Sequence, residues 1–157
     1  SLAEVHTASW QAAYRGIVPS EIIAKVTIDT WKKKFEKLIS DDSSKTALTE
    51  DSGKVTGYTV IGPCRDEDKI EKNCGEVWGL YIAPDRWGKG YGTRLTEWAL
   101  GQLRSQGYSC ATLWTFEKNQ QARKFYENAG FIHDGARKIP FPDAPIAIRY
   151  IKRLEKE

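Results

Sequence analysis

The stretch LYIAPDRWGKGYGTRLTEWAL, Leu80 to Leu100, sets three glycines, Gly88, Gly90 and Gly92, within five positions. An apolar run precedes them, and Leu95, Trp98, Ala99 and Leu103 follow at helical spacing. The pattern is strand, glycine turn, helix. Either the turn is tight for steric reasons alone, or its backbone must come close to something. The second reading has a physical basis. The first amides of a helix lack intrahelical partners and carry partial positive charge, and glycines let an anion approach them without a Cβ in the way. Arg86, Lys89 and Arg94 add cations nearby. Lys89 is followed by Gly90, so the phosphate loop GxxxxGK[ST] is not met, and Gly92 comes too early for a dinucleotide GxGxxG.

Working outward, EVWGLYIA (76–83) reads as a central strand covered on both faces, with Gly79 compatible with a bulge or a close approach. Gly107 ends the helix, and CATLWTF (110–116) is another strand. In NQQARKFYENAGF (119–131), Ala122, Phe125, Tyr126 and Ala129 share a helical face, with Asn119 placed to cap and Gly130 to stop. FIHDGARKI (131–139) and APIAIRYIKRL (144–154) are closing strands.

Upstream, residues 2–15 form an amphipathic helix, and EIIAKV (21–26) is a short apolar segment. A second helix starts from Thr27 or Asp29 and runs to Ser40. TALTED (46–51) and VTGYTVIG (55–62) make a hairpin, and PCRDEDKIEKNCG (63–75) reads as a long solvated loop. The order is two helices, three strands, then helix, strand, helix and two strands: one α/β (α+β) domain over residues 1–157 on a single mixed sheet.

Composition narrows the function. A net charge of +3, from 24 basic and 21 acidic residues, argues against a nucleic-acid partner, and no apolar run is long enough for a membrane partner. Three cysteines without a CxxC pair favour free thiols and a cytoplasmic location, although Cys64 and Cys74 could meet across a hairpin. His6 and His133 show no metal-ligand spacing, so no metal is expected. The chain lacks methionine and opens directly in a helical pattern, which implies that a native first strand precedes it.

With these segments in order, the sequence resembles the GNAT superfamily of acetyl-CoA-dependent N-acetyltransferases over nearly its whole length. The glycine stretch is similar to that family's (Gln/Arg)-x-x-Gly-x-(Gly/Ala) segment, with Trp87 where Gln or Arg is usual and Arg86 one residue early. HTASWQAAYRGIVP (6–19) and NQQARKFYENAGF resemble its first helices and its Asn…Phe-Tyr…Gly-Phe segment. The resemblance implies a mostly antiparallel sheet flanked by helices, with a splayed central strand pair. It implies transfer of acetyl from acetyl-CoA to a primary amine of a small molecule or peptide, by direct attack in a ternary complex. A non-catalytic acyl-CoA sensor of the same fold is the alternative. Dimers are common among such proteins, so a homodimer is one expected assembly.

The same resemblance assigns residues. Leu80, Tyr81, Ile82, Trp87, Gly88, Lys89, Gly90, Tyr91, Gly92, Thr93, Asn119 and Tyr126 would meet the coenzyme, an amide near Tyr81 or Ile82 serving the oxyanion. Glu76 matches the carboxylate base that some members use, ordered water being the other option. Tyr126 matches the tyrosine that protonates the leaving sulfur. Tyr14, Trp31 and Trp78 would line the acceptor pocket.

Overall fold

The computed structural model describes residues 1–70 and 72–155. Helix α1 (Leu2–Ala13) is capped by Ser1, and the single turn α2 (Ser20–Ile23) occupies the short apolar segment. Helix α3 (Ile28–Ile39) starts at Thr27, whose hydroxyl accepts from the Thr30 amide at 3.3 Å. Strands β1 (Lys45–Asp51) and β2 (Lys54–Pro63) form the first hairpin, and the single turn α4 (Glu67–Ile70) precedes β3 (Cys74–Ile82). A 3-10 turn at Pro84–Arg86 leads to α5 (Tyr91–Ser105), then β4 (Cys110–Phe116), α6 (Gln120–Asn128), β5 (Ile132–Lys138) and β6 (Ala147–Arg153).

The six strands lie in the order β1-β2-β3-β4-β6-β5. All neighbours are antiparallel except the central pair, β3 and β4. That parallel pair is joined only over Cys74–Glu76 and Cys110–Thr112. Both strands continue for several residues beyond this ladder, so they part after Glu76 and Thr112. Against β2, Val60 faces Gly79 while Ile61 faces Val77, which leaves Trp78 as the extra residue of a bulge.

Helix α5 lies on one face of the sheet. Its Ala99 and Leu100, with Leu103 one turn on, share a face and pack on Ile61, Val77, Leu113 and Ile148. Burying one such leucine stabilises the fold by about 1.5–3 kcal/mol. Helices α1 and α3 cover the other face, where Ala3, Val5 and Phe35 meet Tyr58 and Val60. The core is therefore two layers separated by the sheet, and the parted strands are the place where those layers can communicate.

Two expectations are corrected. The charged connection after Pro63 is not a plain loop: it includes α4, and although Arg65, Glu67 and Asp68 are exposed, Asp66 and Asp68 are anchored to the sheet by Arg149 of β6. Arg149 donates to Asp66 at 3.1 Å and to Asp68 at 2.6 Å, and Nε reaches Asp134 of β5 at 2.6 Å. Separately, Cys74 and Cys110, facing each other at the first rung of the β3/β4 ladder, are disulfide-bonded. Cys64 is the free thiol and is buried, so the pairing weighed from the sequence, Cys64 with Cys74, does not form.

Candidate active site

The cavity of interest, about 490 Å³, opens where β3 and β4 part. Its walls belong to both layers. Val77, Leu80 and Leu113 line it and join the α5 layer, together with Tyr126 of α6. Trp78 and Tyr81 line it from the α1 layer, and Tyr14 and Trp114 join a further aromatic cluster beside α1. The cavity thus passes through the sheet from one face to the other.

At its α5 end stands the glycine turn. Gly88 and Gly90 have φ of +73° and +88°, a region that residues with a Cβ avoid. A Cβ built on either meets nothing within 4 Å, so backbone conformation, with open space beside it, is what glycine supplies. Gly92 is needed for a different reason: a Cβ there would press on the Phe125 ring at 3.2 Å, where α5 and α6 approach. Gly90 caps α5 with no side-chain acceptor, so the first helical amides remain available beside the cavity. Trp87 donates its indole N–H to the Ile82 carbonyl at 2.9 Å and ties the turn to the end of β3. Arg86, also lining, pairs with Asp51 at 3.1 Å.

Asn119 caps α6, accepting from the Ala122 amide at 3.2 Å, and also lines the cavity, so its cap role leaves the amide nitrogen free. The Tyr126 ring packs edge-on against Phe125 and Phe131. Burial pushes its phenol, and those of Tyr14 and Tyr81, above the ordinary value of 10.0. These hydroxyls therefore keep their protons at neutral pH.

On the α1 side the two tryptophans of the parted strands are held from behind. Trp78 donates to the Pro63 carbonyl at 3.1 Å, and Trp114 donates to Asp66 at 2.8 Å. Gly62 on β2 makes room for the Trp78 ring, which any Cβ there would strike.

Of the residues expected from the sequence, the structure gathers Tyr14, Trp78, Leu80, Tyr81, Ile82, Trp87, Gly88, Gly90, Tyr91, Gly92, Thr93, Asn119 and Tyr126 around one cavity. Three fall outside its lining. Lys89 is exposed, as is Arg94. Trp31 lies beneath His6, ring centroids 3.6 Å apart, in the layer between α1 and α3. Glu76 is 2% exposed, and its carboxylate is occupied. It accepts from the Arg65 backbone N–H at 3.0 Å and from the Arg65 guanidinium at 2.7 Å. As the last β3 residue still paired with β4, it precedes the opening. Cys64, Asp66 and Glu76 bring possible ligand atoms within 4.8 Å of one another, but arginines already hold both carboxylates.

Residues not anticipated include Ser9 and Ala13 of α1, Trp114 and Thr115 of β4, and Gln121 and Phe125 of α6. The alternation of CATLWTF puts Leu113 and Trp114 on opposite faces, and both meet the cavity because the strand edge itself is open.

The sequence matches the model of the acetyltransferase (GNAT) family over residues 7–131. Among curated proteins it is 28% identical over 120 residues to YuaI, an uncharacterized N-acetyltransferase of Bacillus subtilis, covering 75% of this chain and 66% of that protein. It is 28% identical over 114 residues to an uncharacterized N-acetyltransferase of Archaeoglobus fulgidus, covering 73% of this chain and 76% of that protein. In fold it is similar to PaiA N-acetyltransferase of Thermoplasma acidophilum, solved in complex with coenzyme A. The TM-score is 0.73 at 18% identity, covering 96% of this chain and 89% of that one.

Proposed function

The chain belongs to the acetyltransferase (GNAT) family, and from that premise we propose that it moves an acetyl group from acetyl-CoA to a primary amine in a ternary complex. The observation that carries this reading is a cavity crossing the sheet through the parted β3 and β4, with a positive-φ glycine turn at one end. The residues present suit the coenzyme. Gly88 and Gly90 leave open space beside them, and the α5 N-terminus offers amides to a pyrophosphate. Asn119 keeps its amide nitrogen for the pantetheine arm.

Acetyl-CoA supplies the acetyl group as a thioester: the amine nitrogen bonds to the carbonyl carbon, and the carbon–sulfur bond breaks. The chain's own part is to orient, exclude water and manage protons. The bulge at Trp78 and the parting of β3 from β4 release strand amides near Tyr81 and Ile82 to donate to the oxyanion, where one such donor contributes about 3–4 kcal/mol. Tyr126 holds its proton and donates a hydrogen bond from Oη toward the leaving sulfur, stabilising the thiolate as it departs. Glu76 is engaged by Arg65, so the amine's proton leaves to water in the cavity, and Glu76 serves to hold the chain at Arg65.

The test couples binding to turnover. Acetyl-CoA should raise the melting temperature, and coenzyme A release should follow addition of a suitable primary amine. Binding without release across amine and peptide panels would favour the sensor reading. No shift at millimolar coenzyme would sink both.

A further inference from the structure

The α1 side of the cavity says what kind of amine fits, given that the acetyl-transfer reading holds. We infer that the acceptor is a monoamine on a flat, apolar body, such as an arylalkylamine, and not a polyamine or other multiply charged amine.

Three observations lead there. First, among the described residues the cavity lining includes no aspartate or glutamate, and its one formal charge is Arg86, at the α5 end. A second ammonium on the acceptor would therefore lose water without meeting a carboxylate, which is costly. Secondly, four acids behind the two tryptophans are already paired. Glu76 is taken by Arg65, and Asp66, Asp68 and Asp134 converge on the single guanidinium of Arg149. The Arg149 side chain is 6% exposed and holds Asp66 and Asp134 inside the fold, with Asp68 paired to it at the surface.

Thirdly, each of the two tryptophan walls already carries a cation supplied by the protein. Arg65 lies over the Trp78 ring at 4.8 Å. Lys138 lies over Trp114 at 4.0 Å, with the Arg149 guanidinium 5.5 Å from the same ring. An indole face attracts one cation through its quadrupole, and here the protein supplies that cation itself. What remains for a ligand is apolar aromatic surface from Trp78, Trp114, Tyr81 and Tyr14, with the small Ser9 and Ala13 at its edge. A flat hydrocarbon body gains from such walls through offset or edge-on aromatic pairing beyond the area it buries.

The experiment uses the intact protein saturated with coenzyme A, whose binding is measured first in the same calorimeter. 2-Phenylethylamine and tryptamine are then titrated against putrescine and spermidine. The expectation is that an aromatic monoamine binds at least about tenfold more tightly than spermidine, a difference of about 1.4 kcal/mol. Equal or tighter binding of spermidine overturns the inference, as does failure of both aromatic amines to bind the coenzyme-loaded protein. Failure to bind coenzyme A removes the acetyl-transfer reading and this inference with it. Lys138→Asp supplies a second arm. By uncovering one Trp114 face and adding an unpaired carboxylate, it should raise spermidine affinity about fivefold or more with coenzyme A binding unchanged. Unchanged spermidine affinity in that variant also counts against the inference.

Discussion

Glu76→Gln separates a base from a structural acid. In the native protein the Glu76 carboxylate accepts from the Arg65 backbone N–H at 3.0 Å and from its guanidinium at 2.7 and 3.4 Å. A glutamine of the same shape has one acceptor oxygen, so either the backbone or the guanidinium loses its partner. Charge-assisted hydrogen bonds contribute about 1.5–3 kcal/mol and neutral ones about 0.5–1.5, which puts the loss at about 1–2 kcal/mol. The Arg65 side chain is 59% exposed, so solvent takes up part of what it loses and the lower figure applies. For a chain of this size that is about 2–4 °C in melting temperature. The maximal rate should stay within about threefold of wild type, because removal of a true general base would cost about 10²–10⁴. The assays are thermal unfolding and steady-state coenzyme A release across pH. A rate fall of about a hundredfold or more, with the acid limb of the pH profile lost and the melting temperature unmoved, would refute the structural assignment.

Other perturbations read different parts of the site. Tyr126→Phe should lower the maximal rate by about tenfold to a hundredfold while leaving calorimetric acetyl-CoA affinity unchanged, since only the hydrogen bond to the departing sulfur is removed. Gly90→Ala forces a residue with a Cβ to φ near +88°, at about 1–2 kcal/mol, so acetyl-CoA should bind up to about tenfold more weakly by calorimetry. His6 is buried, with Nδ1 2.6 Å from the Tyr58 hydroxyl, and burial, aided by Lys34, lowers its pKa from 6.5 to about 3. The unfolded chain therefore takes up a proton below about 6.5 that the folded one refuses until about 3. Stability is complete above that upper value and falls with acid, at up to about 1.4 kcal/mol per pH unit. Urea unfolding at pH 7, 5 and 4 should show this slope, flattened in His6→Gln.

Much of the architecture is written in local periodicity. The caps at Thr27 and Asn119, the positive-φ glycines and the strand–turn–helix at Leu80–Leu100 all depend on neighbours within a few residues, and such features can be read along the chain. The misplaced residues depend on partners far away in sequence. Glu76 reads as a free strand-end acid until Arg65 folds back on it across the β2–β3 connection, and its position before the strands part is a property of the β3/β4 register. Trp31 carries no mark that distinguishes a wall from a layer beneath His6. Trp114 becomes a cavity residue only because β6, not β3, carries the ladder beside it. The Cys74–Cys110 bond likewise follows from a crossover that aligns residues 36 apart, which spacing alone does not announce.

The end of β2 and the connection after it grip both tryptophans, one through the Pro63 carbonyl and the other through Asp66, and none of their described residues lines the cavity. The coenzyme half, by contrast, is anchored by Trp87 on Ile82 and by the α5 and α6 caps. The two halves are thus tuned by separate stretches of chain. A change at Pro63, Arg65 or Asp66 would move two opposing walls together and retune which amine is accepted. Selection could explore new acceptors by editing a few residues that touch neither substrate.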